Sequence, residues 1–368
     1  MGGRVLSGLR VLDLSSERGM LCGQMLGDLG AEVTLVEPLG GSGARRLPPW
    51  LDDQPGPDNS IYWLAYNRNK RGITLNLASP AGRALLKQLV AKADILIESE
   101  NPGQMAAAGL DYAALSALNP ALVYVAITPF GQDGPKAGYA DSDLIIMAAG
   151  GVLILYGDED RAPIRMSVPQ AYLHAAADAA GAALIAYYER LGSGRGQLID
   201  VAAQESVGLA GQSTALSALC ESDETRRMAG GAKLGGLRVP LVWGCRDGLV
   251  SCVFLFGSAI GVFTRRLVDY MFTQGACDES MKATDWIGYG AKLLSGAEPI
   301  ANYEKAKAVV AAFLKGRTKA ALFETAREHN LLIAPVATIA DVRANPQFTA
   351  REFWHTVAHP TGRPLVYP

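Results

Sequence analysis

The sequence predicts an α/β fold in which helices cover both faces of a parallel sheet. In the first forty residues, a short apolar run, an amphipathic stretch and a second apolar run follow one another, and similar alternation continues to about residue 200. A strand, a helix and a strand in so short a span form a βαβ unit, which implies parallel strands and a right-handed crossover. Apolar residues make up 49% of the 368 residues, which is enough for a large core.

Each predicted element has a local reason. The strands are short apolar runs between polar residues, and the helices show apolar positions three and four residues apart. Ser79 and Pro80 form a typical helix start, with an N-cap serine followed by proline at the first helical position. The predicted strands of this domain are 9–15, 32–38, 72–77, 94–99, 121–131 and 197–202, and its main helices are 19–31, 79–93, 112–120, 172–190 and 203–219.

The long alanine-rich helix over 172–190 is the most regular of these. Its many small side chains allow neighbouring elements to approach closely, and Gly192, Gly194 and Gly196 follow it. Glycine is the residue that most readily ends a helix and turns the chain. Near its start lie Tyr172 and His174, and Asp178 lies in its body.

The composition changes near residue 220, where a polar, glycine-rich stretch precedes a strand-like one. Asp247 and Gly248 are typical of a hairpin turn. Helical segments follow over about 258–329, and then a short strand and helix. A chain of this length commonly holds two domains, and we expect the second and smaller one within about 225–320.

Composition also argues against several classes of function. The net charge of −2 and the absence of a basic block disfavour a nucleic-acid or anionic-membrane surface. The five cysteines are scattered and odd in number, which is typical of free thiols in a reducing cytosol. Because we find neither a signal segment nor a long apolar run, we expect a cytoplasmic protein without a membrane partner. His355 and His359 have a spacing that metal ligands can show, but a helix there is doubtful, and we expect no metal.

Two cationic segments are candidates for binding an anion. Gly40–Arg46 reads GGSGARR after a strand, and Tyr66–Gly72 reads YNRNKRG before one. Arginine and lysine at such positions could hold phosphates, and both segments could equally be solvated turns. His174 and Asp178, four residues apart on one helix, could form a catalytic pair or an ordinary surface pair. The G-x-G-x-x-G and G-x-S-x-G motifs are absent, which argues against a nicotinamide enzyme and an α/β-hydrolase.

Several long motifs in one order resemble the class III CoA-transferases, the group that includes formyl-CoA transferase, carnitine CoA-transferase and α-methylacyl-CoA racemase. The resemblance rests on LSGLRVLDLSSERGMLCGQMLGDLGAEVTLVEPLGGSGAR, YNRNKRGITLNLASPAGRALLKQLVAKADILIE, GLDYAALSALNPALVYVAITPFGQDGP and ERLGSGRGQLIDVAAQES. It covers nearly the whole chain and is weakest over about 210–320. IESENPG departs from the family's E-N-F-x-P-G.

This resemblance implies a Rossmann-like large domain built from 1–224 and 321–368, a small domain over 225–320 of α+β type, and two subunits interlocked like chain links. It also implies coenzyme A or an acyl-CoA as ligand and a carboxylic acid as the other substrate. The family's coenzyme contacts fall in this sequence on Ser16, Glu17, Arg18, Arg45, Asn69, Lys70 and Arg71.

The family's transferases use an aspartate nucleophile just before the alanine-rich helix, and that position falls on Tyr172 here. Tyrosine, with an ordinary pKa of about 10, is a poor nucleophile near neutral pH. We therefore predict no catalytic nucleophile in this chain, which then serves as one subunit of a CoA-transferase beside a complete homologous partner, as in benzylsuccinate CoA-transferase. Two alternatives stay open: an acyl-CoA racemase, lyase or hydratase that uses His174, Asp178 or Glu205, and a non-catalytic CoA-binding protein. The middle domain should line the acyl pocket, where Trp243, Phe254 and Phe256 are either lining residues or ordinary core.

Overall fold

The structure is a computed structural model that describes residues 4–220, 227–234, 237–359 and 362–368. The chain forms two compact units. Unit 1 comprises Met1–Leu155 and Pro163–Thr225, and unit 2 comprises Tyr156–Ala162 and Arg226–Pro368. The predicted domain boundary at 224/225 lies outside the described residues.

Unit 1 contains the predicted parallel sheet. Its six strands lie in the order β3-β2-β1-β4-β5-β6, and every neighbouring pair is parallel. This confirms the doubly wound α/β fold, because the strand order 3-2-1-4-5-6 is that of Rossmann-like domains. The strands are β1 (Arg10–Asp13), β2 (Glu32–Glu37), β3 (Lys70–Thr74), β4 (Ile95–Glu98), β5 (Val123–Thr128) and β6 (Leu198–Ala202).

Nine α-helices among the described residues of unit 1 accompany this sheet. The predicted helix over 203–219 is interrupted at Gly211, so that it forms two helices, and the side chain of Ser79 caps the third helix as predicted. The helices are α1 (Met20–Asp28), α2 (Ile61–Tyr66), α3 (Pro80–Val90), α4 (Gln104–Ala107), α5 (Tyr112–Ser116), α6 (Asp143–Ala149), α7 (Ala171–Ser193), α8 (Ala203–Ala210) and α9 (Gln212–Leu219). Short 3₁₀ turns occur at Gly43–Arg46, Leu51–Asp53 and Leu153–Leu155.

Helix α7 packs against α1, α8 and β5 through small side chains. Its seven buried residues are all alanines, which lets these neighbours approach its backbone. It ends at Gly194, whose φ of 74° is the left-handed conformation that favours glycine. A side chain at Gly196 would lie 1.9 Å from the carbonyl oxygen of Leu122, so the turn into β6 needs glycine there as well. The helix is a few residues longer than predicted and includes Gly192.

Unit 2 is an α+β assembly. It contains the antiparallel pair on either side of the predicted turn at Asp247 and Gly248, which confirms that hairpin. Its strands are β7 (Gly231–Leu234), β8 (Leu237–Pro240), β9 (Val242–Cys245), β10 (Gly248–Cys252), β11 (Ile333–Pro335), β12 (His355–Ala358) and β13 (Pro364–Tyr367). Its helices are α10 (Gly261–Thr273), α11 (Glu279–Ala283), α12 (Tyr289–Leu294), α13 (Ile300–Lys315), α14 (Lys319–His329), α15 (Ile339–Ala344) and α16 (Pro346–Ala350).

The segment 321–368 lies in unit 2, whereas the family resemblance placed it in the large domain. The physical reason is packing within the chain. Leu322 and Ala326 of α14 join the apolar core of unit 2, and β11 extends the β9-β10 sheet by pairing with β10. Trp243 and Phe254 are buried in the same core, and Phe256 packs against it. These three aromatic residues therefore stabilise unit 2.

Candidate active site

The strand order of unit 1 reverses between β1 and β4. The region at the carboxyl edge of the sheet where the loops after these two strands meet is here called the crevice. In α/β sheets such a reversal point is where ligands bind. Predicted residues Ser16, Glu17 and Arg18 lie in the loop after β1. The backbone N–H of Ser16 donates to the hydroxyl of Ser99 after β4 at 2.8 Å, and the two hydroxyl oxygens are 3.0 Å apart. The structure therefore joins both loops at this point.

Arg18 is the central cation of the crevice. One terminal nitrogen of its guanidinium donates to the carbonyl oxygen of Ser99 at 3.3 Å and to Oδ1 of Asn101 at 2.7 Å. The other donates to Oδ1 of Asp141, which lies in the loop after β5, at 2.5 Å. Both charged side chains are more than four-fifths buried. Arg18 thus ties together the loops that follow three strands of the sheet.

Tyr172 lies in the first turn of α7, and its hydroxyl donates to Oδ2 of the same Asp141. The guanidinium of Arg18 is 5.8 Å from the centre of its ring. Burial and the hydrogen bond to Asp141 raise the pKa of Tyr172 well above its ordinary value. The phenol is therefore neutral near pH 7 and has little nucleophilic character.

The start of α7 is held by a second carboxylate. Oδ1 of Asp143, the first residue of α6, accepts the backbone N–H groups of Gln170 at 2.6 Å and Ala171 at 2.8 Å. An acceptor from another helix here takes the place of an N-cap side chain, since Gln170 makes no side-chain capping bond. Asp143 thereby fixes the direction in which Tyr172 enters the crevice.

Arg45 lies in the loop after β2, at the same edge of the sheet. Its guanidinium donates to both oxygens of Glu37, at 2.7 and 2.8 Å, and lies 3.9 Å from the ring centre of Trp63. Burial acts to raise the pKa of Glu37, but the Arg45 guanidinium holds it below its ordinary value. Arg45 is thus engaged within the protein and shapes this loop.

Lys70 makes its contacts within the protein. Its ammonium donates to Oδ2 of Asp13 at 2.8 Å, to the carbonyl oxygen of Met20 at 2.7 Å and to Oδ1 of Asn67 at 2.9 Å. Only 1% of the side chain is exposed. All three donors of Lys70 are therefore used inside the protein, and its contact with the coenzyme stays a prediction.

Asn69 and Arg71 flank Lys70 at the amino end of β3. The amide of Asn69 donates to Asp28 at 2.6 Å, and Arg71 is exposed on the surface. Since the strands are parallel, the start of β3 lies at the edge of the sheet opposite to the ends of β1, β2, β4 and β5. The seven predicted coenzyme residues therefore separate into two groups, and only Ser16, Glu17, Arg18 and Arg45 lie at the carboxyl edge.

The alternative acid–base candidates lie outside this crevice network. His174, Asp178 and Glu205 are exposed on α7 and α8. Across the part of the chain that the structure describes, no hydrogen bond or ion pair joins the side chains of His174 and Asp178. The surface interpretation of that pair is therefore the one that the geometry favours.

Four charged residues at the carboxyl edge were missed by sequence reasoning. Asp141 and Asp143 surround Tyr172, and Arg46 and Lys136 are exposed cations in the loops after β2 and β5. Among the described residues, neither of these two cationic side chains has a hydrogen-bond or ion-pair partner. Arg46 stands in the quoted GGSGARR segment, so the motif carried a signal for it. Asp141 had no such signal, because its importance depends on contacts with residues 31 and 123 positions away in the chain.

Three further observations bear on what the chain binds. Within residues 4–220, 227–234, 237–359 and 362–368, no group of three or more histidine, cysteine, aspartate or glutamate side chains has the arrangement of a metal site. All five cysteines are free thiols. None of the described helices is both long and apolar enough to cross a membrane.

The comparisons with known proteins are consistent over the whole chain. The sequence profile of CoA-transferase family III matches residues 6–368. The succinyl-CoA:(R)-benzylsuccinate CoA-transferase subunit BbsE of Thauera aromatica is 35% identical over 371 residues, covering 100% of this chain and 87% of that protein. The beta subunit of succinyl-CoA–L-malate CoA-transferase of Chloroflexus aurantiacus is 35% identical over 206 residues, or 55% of this chain and 50% of that protein. A CAIB/BAIF family protein from Brucella suis has a similar solved structure, with a TM-score of 0.81, 30% identity and coverage of 99% of this chain and 91% of that one.

Proposed function

Since the chain belongs to CoA-transferase family III, we propose that it is one subunit of a CoA-transferase that moves CoA from an acyl-CoA donor to an organic acid. We further propose that a homologous partner subunit supplies the aspartate that Tyr172 replaces. One observation carries this assignment: the residue at the nucleophile position is a neutral phenol whose hydroxyl is already bound to Asp141.

The chemistry of the reaction explains why this observation is decisive. A carboxylate nucleophile attacks the thioester carbonyl, CoA leaves as a thiolate, and the resulting mixed anhydride is then attacked by that thiolate. A phenol with a raised pKa supplies almost no anion near pH 7. The names of two relatives support the second part of the proposal, because each describes a subunit.

The coenzyme would bind at the carboxyl edge of the sheet in unit 1. Ser16, Glu17 and Arg18 line the crevice there, and Arg45 shapes the loop after β2. Arg46 and Lys136 are the cations with free donors among the described residues of this edge, so we assign them to the phosphates of CoA. Arginine offers paired donors to a phosphate and lysine offers a compact charge. Acyl-CoA substrates agree with a cytoplasmic protein.

The partner requirement is tested by reconstitution. The purified chain is mixed or co-expressed with a homologue that carries aspartate at the position of Tyr172, and transfer of CoA from succinyl-CoA to a panel of organic acids is followed. We expect no transfer by this chain alone, transfer by the pair, and loss of transfer when the partner's aspartate is changed to asparagine. Transfer by this chain alone at a comparable rate would contradict the proposal.

The coenzyme site is tested by titration calorimetry with succinyl-CoA. Changing Arg46 and Lys136 together to alanine should weaken binding about thirtyfold to several hundredfold, since each of the two phosphate contacts with a charged donor stabilises the complex by about 1–2 kcal/mol. Lys92→Ala, an exposed lysine before β4 at the opposite edge, is the control and should leave the affinity unchanged. Equal affinities of the natural chain, the double variant and Lys92→Ala would show that Arg46 and Lys136 do not bind the coenzyme at the carboxyl edge of the sheet.

The interlocked assembly stays part of the proposal and has its own measurement. Light scattering and native mass spectrometry at micromolar concentration should give a dimer of this chain with itself or with the partner. Intertwined subunits bury far more surface than a standard interface, so the dimer should dissociate slowly on dilution. A monomer under these conditions would be incompatible with interlocking.

A further inference from the structure

Both carboxylate oxygens of Asp141 accept hydrogen bonds, next to Tyr172, the residue at the predicted nucleophile position. One of its oxygens accepts from Arg18 at 2.5 Å, and the other accepts from the hydroxyl of Tyr172. Only 13% of its side chain is exposed. A carboxylate, a guanidinium and a phenol thus form one closed set of hydrogen bonds at the entrance of α7.

The cation in this set is held by three hydrogen bonds. Arg18 divides its terminal nitrogens between Asp141, the carbonyl oxygen of Ser99 and the amide oxygen of Asn101. These contacts hold the guanidinium in place from three loops. A second carboxylate arriving beside Asp141 would therefore find no free positive charge among these groups to stabilise it.

From these contacts we infer that Asp141 is a positioning residue that, together with Tyr172, closes the nucleophile position of this chain. The inference rests on the proposed function, because it assumes that an acyl-CoA reaches this crevice. On this inference, an aspartate placed at residue 172 is not enough to restore a nucleophile, because the carboxylate of Asp141 already occupies the place that the Tyr172 hydroxyl reaches.

The inference makes a specific statement about restoring the nucleophile. In Tyr172→Asp, we expect the new carboxylate to feel the negative charge of Asp141, which the Tyr172 hydroxyl contacts, and of Asp143, which holds the start of α7. Arg18 is the compensating cation among these residues. Like charges placed close together raise the pKa of one carboxyl group and lower its ionised fraction. Changing Asp141 to asparagine as well removes the repulsion, keeps an oxygen acceptor for Arg18 and preserves the size of the side chain.

The chemical step to be observed is balanced. A carboxylate oxygen introduced by Tyr172→Asp forms a bond to the thioester carbonyl carbon of succinyl-CoA, and the carbon–sulfur bond breaks to release CoA thiolate. The thiolate then attacks the aspartyl carbonyl of the mixed anhydride, which releases succinate and leaves an aspartyl-CoA thioester. The step consumes no proton and requires no oxidant or reductant.

The test uses four full-length proteins: the natural chain, Tyr172→Asp, Tyr172→Asp with Asp141→Asn, and Tyr172→Asn with Asp141→Asn. Each is incubated with succinyl-CoA over a range of pH, treated with hydroxylamine, and analysed by intact mass and peptide mapping. We expect a modification at residue 172 in Tyr172→Asp with Asp141→Asn. At pH values below the pKa of both carboxyl groups it should form about tenfold faster than in Tyr172→Asp alone, in line with a pKa difference of about one unit. Tyr172→Asp alone should need a higher pH to react, and the two proteins without aspartate at this position should stay unmodified.

Two results would overturn the inference. In one, Tyr172→Asp alone reacts as fast as Tyr172→Asp with Asp141→Asn and with the same pH profile. In the other, Tyr172→Asp with Asp141→Asn stays unmodified although calorimetry shows that it binds succinyl-CoA and circular dichroism shows that it is folded. If none of the four folded proteins binds succinyl-CoA, the proposed function is wrong and the inference fails with it. If succinyl-CoA binds and one of the two results above is found, the inference alone is wrong.

Discussion

Unit 1 contains two cation–carboxylate groups that look alike in sequence and differ in burial. Lys70 and Asp13 pair at 2.8 Å with 1% and 0% of their side chains exposed, beneath α1. Arg18 and Asp141 pair at 2.5 Å with 18% and 13% exposed, in the loops at the carboxyl edge. The first pair is sealed in the core, and the second keeps some exposure in the loops where we propose that the coenzyme binds. The two pairs therefore differ in burial and in the number of internal partners more than in residue types.

Of the substitutions considered, the one that breaks the buried pair of Lys70 and Asp13 should lower the free energy of unfolding most. Changing Lys70 to methionine removes the ammonium and leaves the Asp13 carboxylate without its cation in the core. Breaking a buried pair in this way typically costs about 3–5 kcal/mol. We expect that loss in the free energy of unfolding measured by urea denaturation. The neighbouring and exposed Arg71→Met is the matched control, with a change within about 0.5 kcal/mol.

A small effect of Lys70→Met would contradict the structural role assigned to this lysine. The packing around Lys70 and Asp13 supports a large loss of stability. Gly23 of α1 lies against it so closely that a side chain there would come within 2.1 Å of Oδ2 of Asp13. The side chain of Asp13 is fully buried, so the orphaned carboxylate would lie away from bulk solvent without its cation.

Glu98, at the end of β4, shows what a buried carboxylate does without a cation. Its oxygens accept from the backbone N–H of Glu100 at 2.7 Å and from the hydroxyl of Tyr124 at 3.3 Å. Burial outweighs these bonds and raises the pKa of Glu98 to about 7. Because the folded state holds this proton more tightly than the unfolded state, the stability contributed by Glu98 falls as the pH rises from about 4.5 to about 7.

Glu98→Gln should therefore stabilise the protein only at high pH, where the natural glutamate is ionised. Glutamine stays neutral, can accept from Glu100 and can donate to the oxygen of Tyr124. We expect a gain of about 2–3 kcal/mol at pH 8 and almost none at pH 4.5, since one pKa unit corresponds to about 1.4 kcal/mol. Urea denaturation of both proteins at several pH values measures it. A difference that does not change with pH would show that Glu98 does not carry a raised pKa.

The sequence alone was enough for most of the fold of unit 1, because its strands are continuous apolar runs and its helices carry local start and stop signals. Ser79 before Pro80 and the glycine at 194 are examples that the structure confirms. Elements without such periodic signals, including α2 and α6, were missed. The packing of Leu322 and Ala326 into the core of unit 2 depends on residues far away in the chain, so no local signal in the sequence predicts it.

The candidate site was less predictable for a physical reason. A motif such as N-R-N-K-R gives the residue types but not which side of the sheet each side chain reaches. Lys70 turns inward to Asp13, and Arg71 remains on the surface at the opposite edge from the crevice. Tyr172 was selected because the motifs that resemble the family predict the nucleophile at this position. Asp141 became visible only when the loop after β5 was seen beside the start of α7.

Asp141→Asn should change the stability less than Lys70→Met does and less than Glu98→Gln does at pH 8, and it completes the comparison. Asparagine keeps an acceptor for Arg18 or Tyr172 but removes the charge. Because this pair borders solvent, we expect a loss of about 1 kcal/mol that shrinks as salt is added, in contrast to Lys70→Met. A double-mutant cycle with Arg18→Gln, measured by urea denaturation at low and high salt, isolates the energy of the pair. A coupling energy as large as that expected for Lys70 and Asp13, and unchanged by salt, would mean that Asp141 belongs to the folded core and not to a crevice that a ligand can enter.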